Sequence, residues 1–158
     1  MTEGVLSTLQ RHPFVEEFQP AHLEKLASVV TRVRFERDQV IFREGDECWE
    51  FYLIVSGLVA LEIVAPGHVL RVQTLGAGDE FGWSALLMGK RKHFQARGLE
   101  RVEALAFDGG ELLTACKQDT SFGFVLMHRL LSVVSERLQA TRLQLLDMYS
   151  PQAKRAGA

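Results

Sequence analysis

The spacing of hydrophobic residues changes twice along this chain, and each change predicts a different kind of secondary structure. From Val5 to about Arg34 the apolar positions follow helical spacing, which Pro13 and Pro20 interrupt. Because proline ends or divides a helix, the pattern predicts two or three short helices over about residues 1–34. The apolar positions behind this prediction are Leu6, Leu9, Phe14, Phe18, Leu23, Leu26 and Val30.

Between Phe35 and Phe107 the apolar residues form short runs that are rich in β-branched and aromatic side chains. Glycine-containing turns separate these runs, which cover residues 40–42, 51–55, 58–64 and 69–75. Many short strands joined by glycine turns predict a β-roll or barrel over about residues 35–107.

Helical patterns return after the strands. Asp108, with Glu111 three residues later, forms the pattern of a capping box and predicts a short helix that begins there. A longer helical pattern continues from about Thr120 to Tyr149. The sequence therefore predicts an α+β fold in which short helices precede a β-roll and a long helix follows it.

The long helix carries a seam of residues spaced alternately by four and three, as in a coiled coil. The seam consists of Met127, Leu131, Val134, Leu138, Thr141, Leu145 and Met148. A second apolar stripe beside it consists of Phe122, Leu126, Leu130 and Val133. One stripe can pack on the roll while the other meets a partner helix, so we expect a homodimer through residues 120–149. The alternative is a monomer in which both stripes form one broad surface facing the core.

Composition limits the classes of partner. The length of 158 residues fits one domain, which we place at residues 1–150 with a flexible tail at 151–158. A hydrophobic fraction of 47%, a charged fraction of 24% and a net charge of −2 indicate neither a nucleic-acid nor a membrane-surface partner. The sequence has no signal-peptide pattern and no apolar run of membrane-spanning length, so we expect a cytoplasmic location. Cys48 and Cys116 are far apart, which argues against a disulfide framework or a thiolate zinc site.

The strongest chemical signal is the glycine-rich segment from Gly76 to Leu87, which is followed closely by basic residues at 90–93. Glycines allow tight turns, and the small side chains of Ser84 and Ala85 leave the amides of a short helical turn uncovered. Such amides and a nearby cation are the groups that bind a phosphate. The segment therefore predicts a pocket for a small anion, although Trp83 in its middle complicates this interpretation.

Four motifs occur in an order and spacing that resemble a known family. They are Gly45-Asp46, the segment Tyr-Leu-Ile-Val-Ser-Gly at 52–57, the segment Leu-Gly-Ala-Gly-Asp-Glu-Phe-Gly at 75–82, and Arg-Leu-Gln-Ala-Thr at 137–141. In these motifs the chain resembles the cyclic nucleotide-binding domain of the catabolite activator protein and its relatives. The resemblance extends from about Leu9 to Tyr149.

The resemblance implies an eight-stranded antiparallel β-roll with a cassette helix and a long dimerisation helix. The glycine-rich segment then corresponds to the phosphate-binding cassette of the family, which clamps the cyclic phosphate and the ribose. The combination of residues 81–86 with residues 93–97 is similar to a bacterial subgroup of stand-alone domains that lack a DNA-binding motif.

The cassette departs from the family pattern at two places. Residues 81–83 read Phe-Gly-Trp where the family has Phe-Gly-Glu, and an indole only donates hydrogen bonds whereas the glutamate accepts one from the ribose 2′-hydroxyl. The family's phosphate-binding arginine and the small or hydroxylated residue after it align with Lys92 and His93, with Arg91 one position earlier. Lysine supplies a charge but lacks the two-pronged guanidinium that meets two phosphate oxygens at once.

Two interpretations of the cassette stay open. In the first, Lys92, His93 and the amides of residues 82–85 bind a small anion such as cAMP or cGMP, and Trp83 stacks on it or closes over it. In the second, Trp83 plugs the pocket and the chain is a structural dimerisation or adaptor module. The candidate ligand-binding residues are Phe81, Gly82, Trp83, Ser84, Ala85, Arg91, Lys92, His93, Arg137 and Thr141.

The last two candidates come from the resemblance, which implies that residues of the long helix reach the nucleobase across the dimer. By position these are Arg137, Thr141 and Arg142, with the threonine hydroxyl recognising a purine edge. The alternative for Thr141 is a hydrogen bond to its own helix. Arg97 is expected to lie in a strand and to pair with an acid such as Glu100 or Glu103.

Other function classes have weaker support. Family members that act as transcription factors continue into a helix-turn-helix, whereas residues 150–158 follow the long helix here, so we expect an unknown protein partner and no DNA binding by this chain alone. The histidines are dispersed without metal-ligand spacing and no catalytic constellation stands out, so we expect no enzyme, no metal and no cofactor. A less favoured alternative is a haem-based sensor with His93, Cys48 or Cys116 as axial ligand.

Overall fold

Helices lie towards both ends of the chain and the strands lie between them. The structure, a computed structural model, describes residues 2–47, 49–87 and 91–149. The elements, in chain order, are α1 (Thr2–Gln10), a 3-10 turn (Pro13–Val15), α2 (Pro20–Ala27), β1 (Val30–Phe35), β2 (Val40–Phe42), β3 (Glu50–Ser56), β4 (Val59–Ala65), β5 (His68–Leu75), β6 (Glu80–Phe81), a second 3-10 turn (Trp83–Leu86), β7 (Gln95–Gly98), β8 (Val102–Asp108), α3 (Gly109–Gln118) and α4 (Thr120–Tyr149).

The strands pair into two four-stranded antiparallel sheets, ordered β1-β8-β3-β6 and β2-β7-β4-β5. Alternate side chains of both sheets meet in one core, because successive residues of a strand point to opposite faces. The buried members of this core are Tyr52, Ile54, Val59, Leu61, Leu75, Phe81, Ala96, Val102, Ala104 and Ala106. The predicted α+β fold with an eight-stranded antiparallel roll is confirmed.

The first strand corrects the expected extent of the N-terminal helices. Residues 30–35 form β1, so the helical segment ends at Ala27 and does not continue to Arg34. Val33 and Phe35 pack on the core, whereas Arg32 and Arg34 are exposed. This alternation of period two is typical of a strand. Pairing with β8, in which Val33 lies opposite Ala104, fixes this strand.

The N-terminal helices are divided as the prolines predict, and a buried histidine ties them to the roll. His12 is 5% exposed, its Nδ1 accepts the amide of Phe14 at 3.1 Å, and its Nε2 lies 3.0 Å from the carbonyl oxygen of Ile54. Because Nδ1 accepts, the proton is on Nε2 and is donated to Ile54. The neutral imidazole therefore links the first 3-10 turn to β3.

Close packing marks the junction of α3 and α4. The Asp108 carboxylate accepts the amide of Glu111 at 2.9 Å and so caps α3, as the capping pattern predicts. Asp119 lies between the two helices, where its carboxylate accepts the amide of Phe122 at 3.1 Å and lies 3.3 Å from the Lys25 ammonium. A Cβ on Gly123 would lie 2.9 Å from the carbonyl oxygen of Cys116, so only glycine fits there.

The chain forms two compact units, and the boundary between them falls within α4. The first unit ends at Gly123 and the second begins at Phe124. Within α4 the stripe of Phe122, Leu126, Leu130 and Val133 is buried. Large residues of the predicted seam are exposed, with exposed fractions from 39% at Met127 to 76% at Met148. None of the helices in the described ranges is long and apolar enough to cross a bilayer.

Candidate functional site

The glycine-rich segment forms a tight turn whose conformation only glycine accepts easily. Gly82 has a φ of +80° and precedes the second 3-10 turn, Trp83–Leu86, which we call the cassette turn. The amide of Ala85 donates to the carbonyl oxygen of Gly82 at 3.0 Å, so it is engaged inside the turn rather than offered to a ligand. The side chains of Ala85 and Leu86 are buried, and those of Trp83 and Ser84 are half-buried.

The cassette turn lies directly against the first residue of α3. A Cβ built on Gly109 would overlap the carbonyl oxygen of Ala85. Gly109 therefore lets the turn and the helix approach more closely than any other residue would allow. A displacement of the turn towards α3 has to move the helix as well.

Of the basic residues after the cassette turn, Lys90 lies outside the described residues, and the three that follow it differ in exposure. Arg91 and His93 are exposed, whereas Lys92 is 5% exposed. Main-chain hydrogen bonds of 2.8 Å join the Lys92 amide to the Asp46 carbonyl and the Gly45 amide to the Lys92 carbonyl. The Arg91 guanidinium donates to the Gly45 carbonyl at 3.0 Å. Lys92 and His93, expected to act together, therefore differ in exposure: Lys92 is buried and His93 is at the surface.

The ammonium of Lys92 lies among aromatic rings beside the cassette. Its Nζ is 4.2 Å from the centroid of the Phe42 ring and 3.4 Å from the place that a Cβ on Gly82 would occupy. Phe42 packs against Phe81 with centroids 6.1 Å apart, and Phe81 stacks on Tyr52 at 4.7 Å. A buried cation thus lies on the face of an aromatic cluster that continues into the core.

An open cleft of about 530 Å³ adjoins this cation. Burial, followed by the charge of Glu50, raises the pKa of Tyr52, which lines the cleft and stays a neutral phenol. The exposed indole of Trp49 forms part of the rim. The lining residues are Ile41, Phe42, Gly45, Asp46, Glu47, Trp49, Glu50, Tyr52, Arg91 and Lys92.

The cleft contains only part of the predicted site. Of its described lining residues, Arg91 and Lys92 belong to the predicted set, and Gly82 lies next to Lys92. Phe81 is fully buried, so its side chain belongs to the core and does not face a ligand. We did not predict a place in the site for Trp49, Glu50 or Tyr52, because the motifs that contain or adjoin them identified only the fold.

The two predicted site residues of α4 contact each other. The Thr141 hydroxyl donates to the carbonyl oxygen of Arg137 at 2.9 Å, which is the arrangement expected if Thr141 bonds to its own helix. Thr141 is exposed and Arg137 is half-exposed. Their assignment to a nucleobase stays a prediction.

Arg97 is paired with acids, but the expected partners Glu100 and Glu103 are wrong. Its Nε and Nη2 donate to the two carboxylate oxygens of Glu62 at 3.0 and 2.8 Å, and its Nη1 donates to Asp38 at 2.9 Å. Gln95 also donates to Glu62, at 3.1 Å. Hydrogen bonds from Arg97 hold the pKa of the buried Glu62 below its ordinary value. Pairing of β4 with β7 brings these residues together. They are far apart in the sequence, so the sequence alone did not predict the contact.

The described residues contain no group of three His, Cys, Asp or Glu side chains arranged to hold a metal ion. Of the residues considered as haem ligands, His93 is exposed, and Cys116 is half-buried with the pKa of its thiol raised by burial. A raised pKa disfavours the thiolate that would bind iron. Cys48 lies outside the described residues.

Comparison with known proteins identifies relatives of the whole roll. Residues 32–119 match the family profile described as the cyclic nucleotide-binding domain. The regulatory subunit of cAMP-dependent protein kinase from Schizosaccharomyces pombe is 28% identical over 102 residues, which are 65% of this chain and 24% of that protein. The chain thus spans about a quarter of the length of the curated relatives it matches.

Solved structures give the same picture. The catabolite activator protein of Thermus thermophilus is 26% identical with a TM-score of 0.71, and the alignment covers 87% of this chain and 63% of that one. A cyclic nucleotide-binding domain from Methylobacillus flagellatus has a TM-score of 0.79 at 18% identity, covering 93% of this chain and 83% of that one. The second similarity supports the fold alone.

Proposed function

Because the chain belongs to the cyclic nucleotide-binding domain family, we propose that it is a regulatory domain that senses a small anionic ligand of the cyclic nucleotide class, cAMP or cGMP. The proposal includes a dimeric α4 that passes the signal to a protein partner, and it includes no catalytic step. The names of the yeast kinase regulatory subunit and the bacterial activator support a regulatory role of this kind.

The observation that carries the proposal is the Lys92 ammonium beside the cassette turn. A positive charge next to Gly82, in a pocket edged by aromatic rings, is suited to the single negative charge of a cyclic phosphate. Lysine acts as a point charge, so we expect weaker and less orientation-dependent binding than an arginine at this position would give.

The cassette turn is also well placed to transmit a change. Its Ala85 carbonyl touches Gly109 at the start of α3, and α3 leads through Asp119 into α4. Contacts that leave no room for a Cβ join α3 to its neighbours on both sides: Gly109 at its start meets Ala85, and Gly123 of α4 meets Cys116 near the end of α3. A ligand that shifts the cassette turn would therefore shift α3 as well. This requires that the ligand bind the shifted and unshifted arrangements of the turn with different affinity.

The exposed seam of α4 supports the dimeric part of the proposal. Leu131 and Leu138 are 66% and 60% exposed, and a row of exposed large apolar residues on one helix marks an interaction surface. The heptad spacing of the seam suits a second copy of the same helix.

Calorimetric titration of the purified chain with cAMP and with cGMP tests the ligand. We expect one of them to bind with one site per chain and the Lys92→Met variant to bind at least about tenfold more weakly, because a desolvated charge contact is lost. Lys117→Met, which removes an exposed lysine of α3, serves as the matched control and should bind as the wild type does. If neither nucleotide binds the folded chain at millimolar concentration, a structural dimerisation module becomes the better account.

A further inference from the structure

Building on the proposed function, we propose that Phe42 holds Lys92 in a retracted position and thereby regulates access of an anion to the site. In the described structure the Lys92 ammonium lies over the Phe42 ring, 4.2 Å from its centroid, and is buried. A buried ammonium cannot touch a ligand in solution. The side chain must leave the ring, at least in part, before it meets a phosphate oxygen.

The main chain around Lys92 limits this movement to the side chain. Both the amide and the carbonyl of Lys92 form 2.8 Å hydrogen bonds with the turn at Gly45 and Asp46. The four-carbon stem of a lysine, in contrast, has several rotatable bonds. A change in the position of the ammonium therefore does not require the segment to unfold.

Phe42 is itself held in place, so it is a fixed partner for the cation. It lies in β2, is half-buried, and packs on the fully buried Phe81 with ring centroids 6.1 Å apart. A cation over the face of a ring is stabilised most strongly where water is excluded, as it is here. The contact therefore competes with any anion for the same ammonium.

Competition of this kind lowers the apparent affinity by the fraction of molecules in which Lys92 is extended. Weakening the contact with the ring should raise that fraction and tighten anion binding. The opposite result, weaker binding, is the one expected if Phe42 merely supports the shape of the site. The direction of the change thus separates regulation from simple structural support.

The test compares Phe42→Leu with the wild type in calorimetric titrations with cAMP and with cGMP. Leucine keeps an apolar side chain but has no aromatic face, so we expect binding to tighten by about tenfold to thirtyfold, the range of a cation–π contact that is partly to fully desolvated. Phe35→Leu removes a half-buried ring from the same core that contacts Tyr52 rather than Lys92, and it should not tighten binding.

A second measurement follows the retracted position without any ligand. The rate at which an acetylating reagent modifies Lys92, read by mass spectrometry relative to the exposed Lys117, reports access to the ammonium. We expect slow modification of Lys92 in the wild type and in Phe35→Leu, and faster modification in Phe42→Leu.

The two measurements distinguish the outcomes. If the wild type binds cAMP or cGMP while Phe42→Leu binds no more tightly and is acetylated no faster, regulation by Phe42 is wrong and the proposed function stands. If neither protein binds cAMP or cGMP, both are wrong. Binding by Phe42→Leu alone would support the inference, since it would show that release of Lys92 creates the site.

Discussion

At Gly82, beside Lys92, backbone conformation and packing both exclude a side chain. Its φ of +80° disfavours any side chain, and a Cβ there would lie 2.6 Å from the carbonyl oxygen of Glu50 and 3.4 Å from the Lys92 ammonium. The absence of a side chain leaves the space in which Lys92 packs on Phe42. The sequence predicted a tight turn here, but not the reason for it.

Substituting Gly82 by alanine should destabilise the fold by about 1–3 kcal/mol or more, because backbone strain and the collision with Glu50 add together. Gly45→Ala is the matched control, since Gly45 has a φ of +89° but no atom within 4 Å of its built Cβ. Urea unfolding of both variants measures the two costs. Equal losses would contradict the packing argument and leave only the conformational one.

At the scale of elements, a cluster of one arginine and two carboxylates, of which only Glu62 is buried, joins β4, β7 and the turn between β1 and β2. Arg97 bridges Glu62 in β4 and Asp38 in that turn, and Asp38 adopts a left-handed φ of 66°. Glu62 is 2% exposed, and three hydrogen bonds to its carboxylate offset the cost of burying its charge. This cluster fixes β7, the strand that follows the cassette.

Hydrogen bonds with Arg97 lower the pKa of Glu62. The direction of this shift determines how the stability of the fold changes with pH. A carboxyl whose pKa is lower in the folded state stabilises the fold above its unfolded pKa, and the stabilisation is lost as the pH falls through the folded value. Glu62→Gln should cost about 1–3 kcal/mol at neutral pH. The difference from the wild type should shrink below about pH 4.3, the ordinary glutamate pKa.

Urea unfolding of both proteins at several pH values measures this difference. Glu103→Gln, at an exposed position of the neighbouring sheet, is the control and should change stability little. A Glu62→Gln deficit that stays constant down to about pH 3 would contradict the role given to the charge.

The pattern of the sequence predicted elements better than it predicted contacts. It predicted β2 and the long helix α4 because glycine, proline and apolar spacing act locally. It missed β1, whose alternation of Val33 and Phe35 with arginines is visible but short. It could not find the partner of Arg97, because Glu62 is 35 residues away and only the register of β4 with β7 brings the two together.

The candidate site was predicted in part for the same reason. The cassette and its cation follow from local motifs. The burial of Lys92 between exposed neighbours could not be predicted, because residues 91–93 are all basic and show no alternation of apolar and polar positions. The position of the Phe42 ring above the Lys92 ammonium depends on how β2 packs against Phe81 in β6. No spacing of residues in the sequence predicts this packing.

At the scale of the whole molecule, the seam of α4 is an exposed apolar surface whose largest side chains are leucines and methionines. Its residues are spaced as in a coiled coil, and the stripe beside it is buried. The account assigns the seam to a second copy of the chain. Dimerisation would join two copies of the domain through one pair of helices.

Sedimentation of the wild type should therefore give twice the mass of one chain, and Leu138→Asp should give a monomer, because a charge would be buried in the seam. Gln139→Asp places the same charge at the next position, outside the heptad seam, and should remain a dimer. A wild type that sediments as a monomer at micromolar concentration would contradict the assignment.

Amide NMR spectra of the chain, recorded during titration with cAMP and with cGMP, show whether a cyclic nucleotide binds beside the cassette turn. We expect saturable shifts with one of the two nucleotides, largest at residues 81–86 and 91–93 and at Phe42. Gly109 should follow, because it touches Ala85. No shifts at millimolar nucleotide, or shifts confined to residues remote from Lys92, would contradict binding beside the cassette turn.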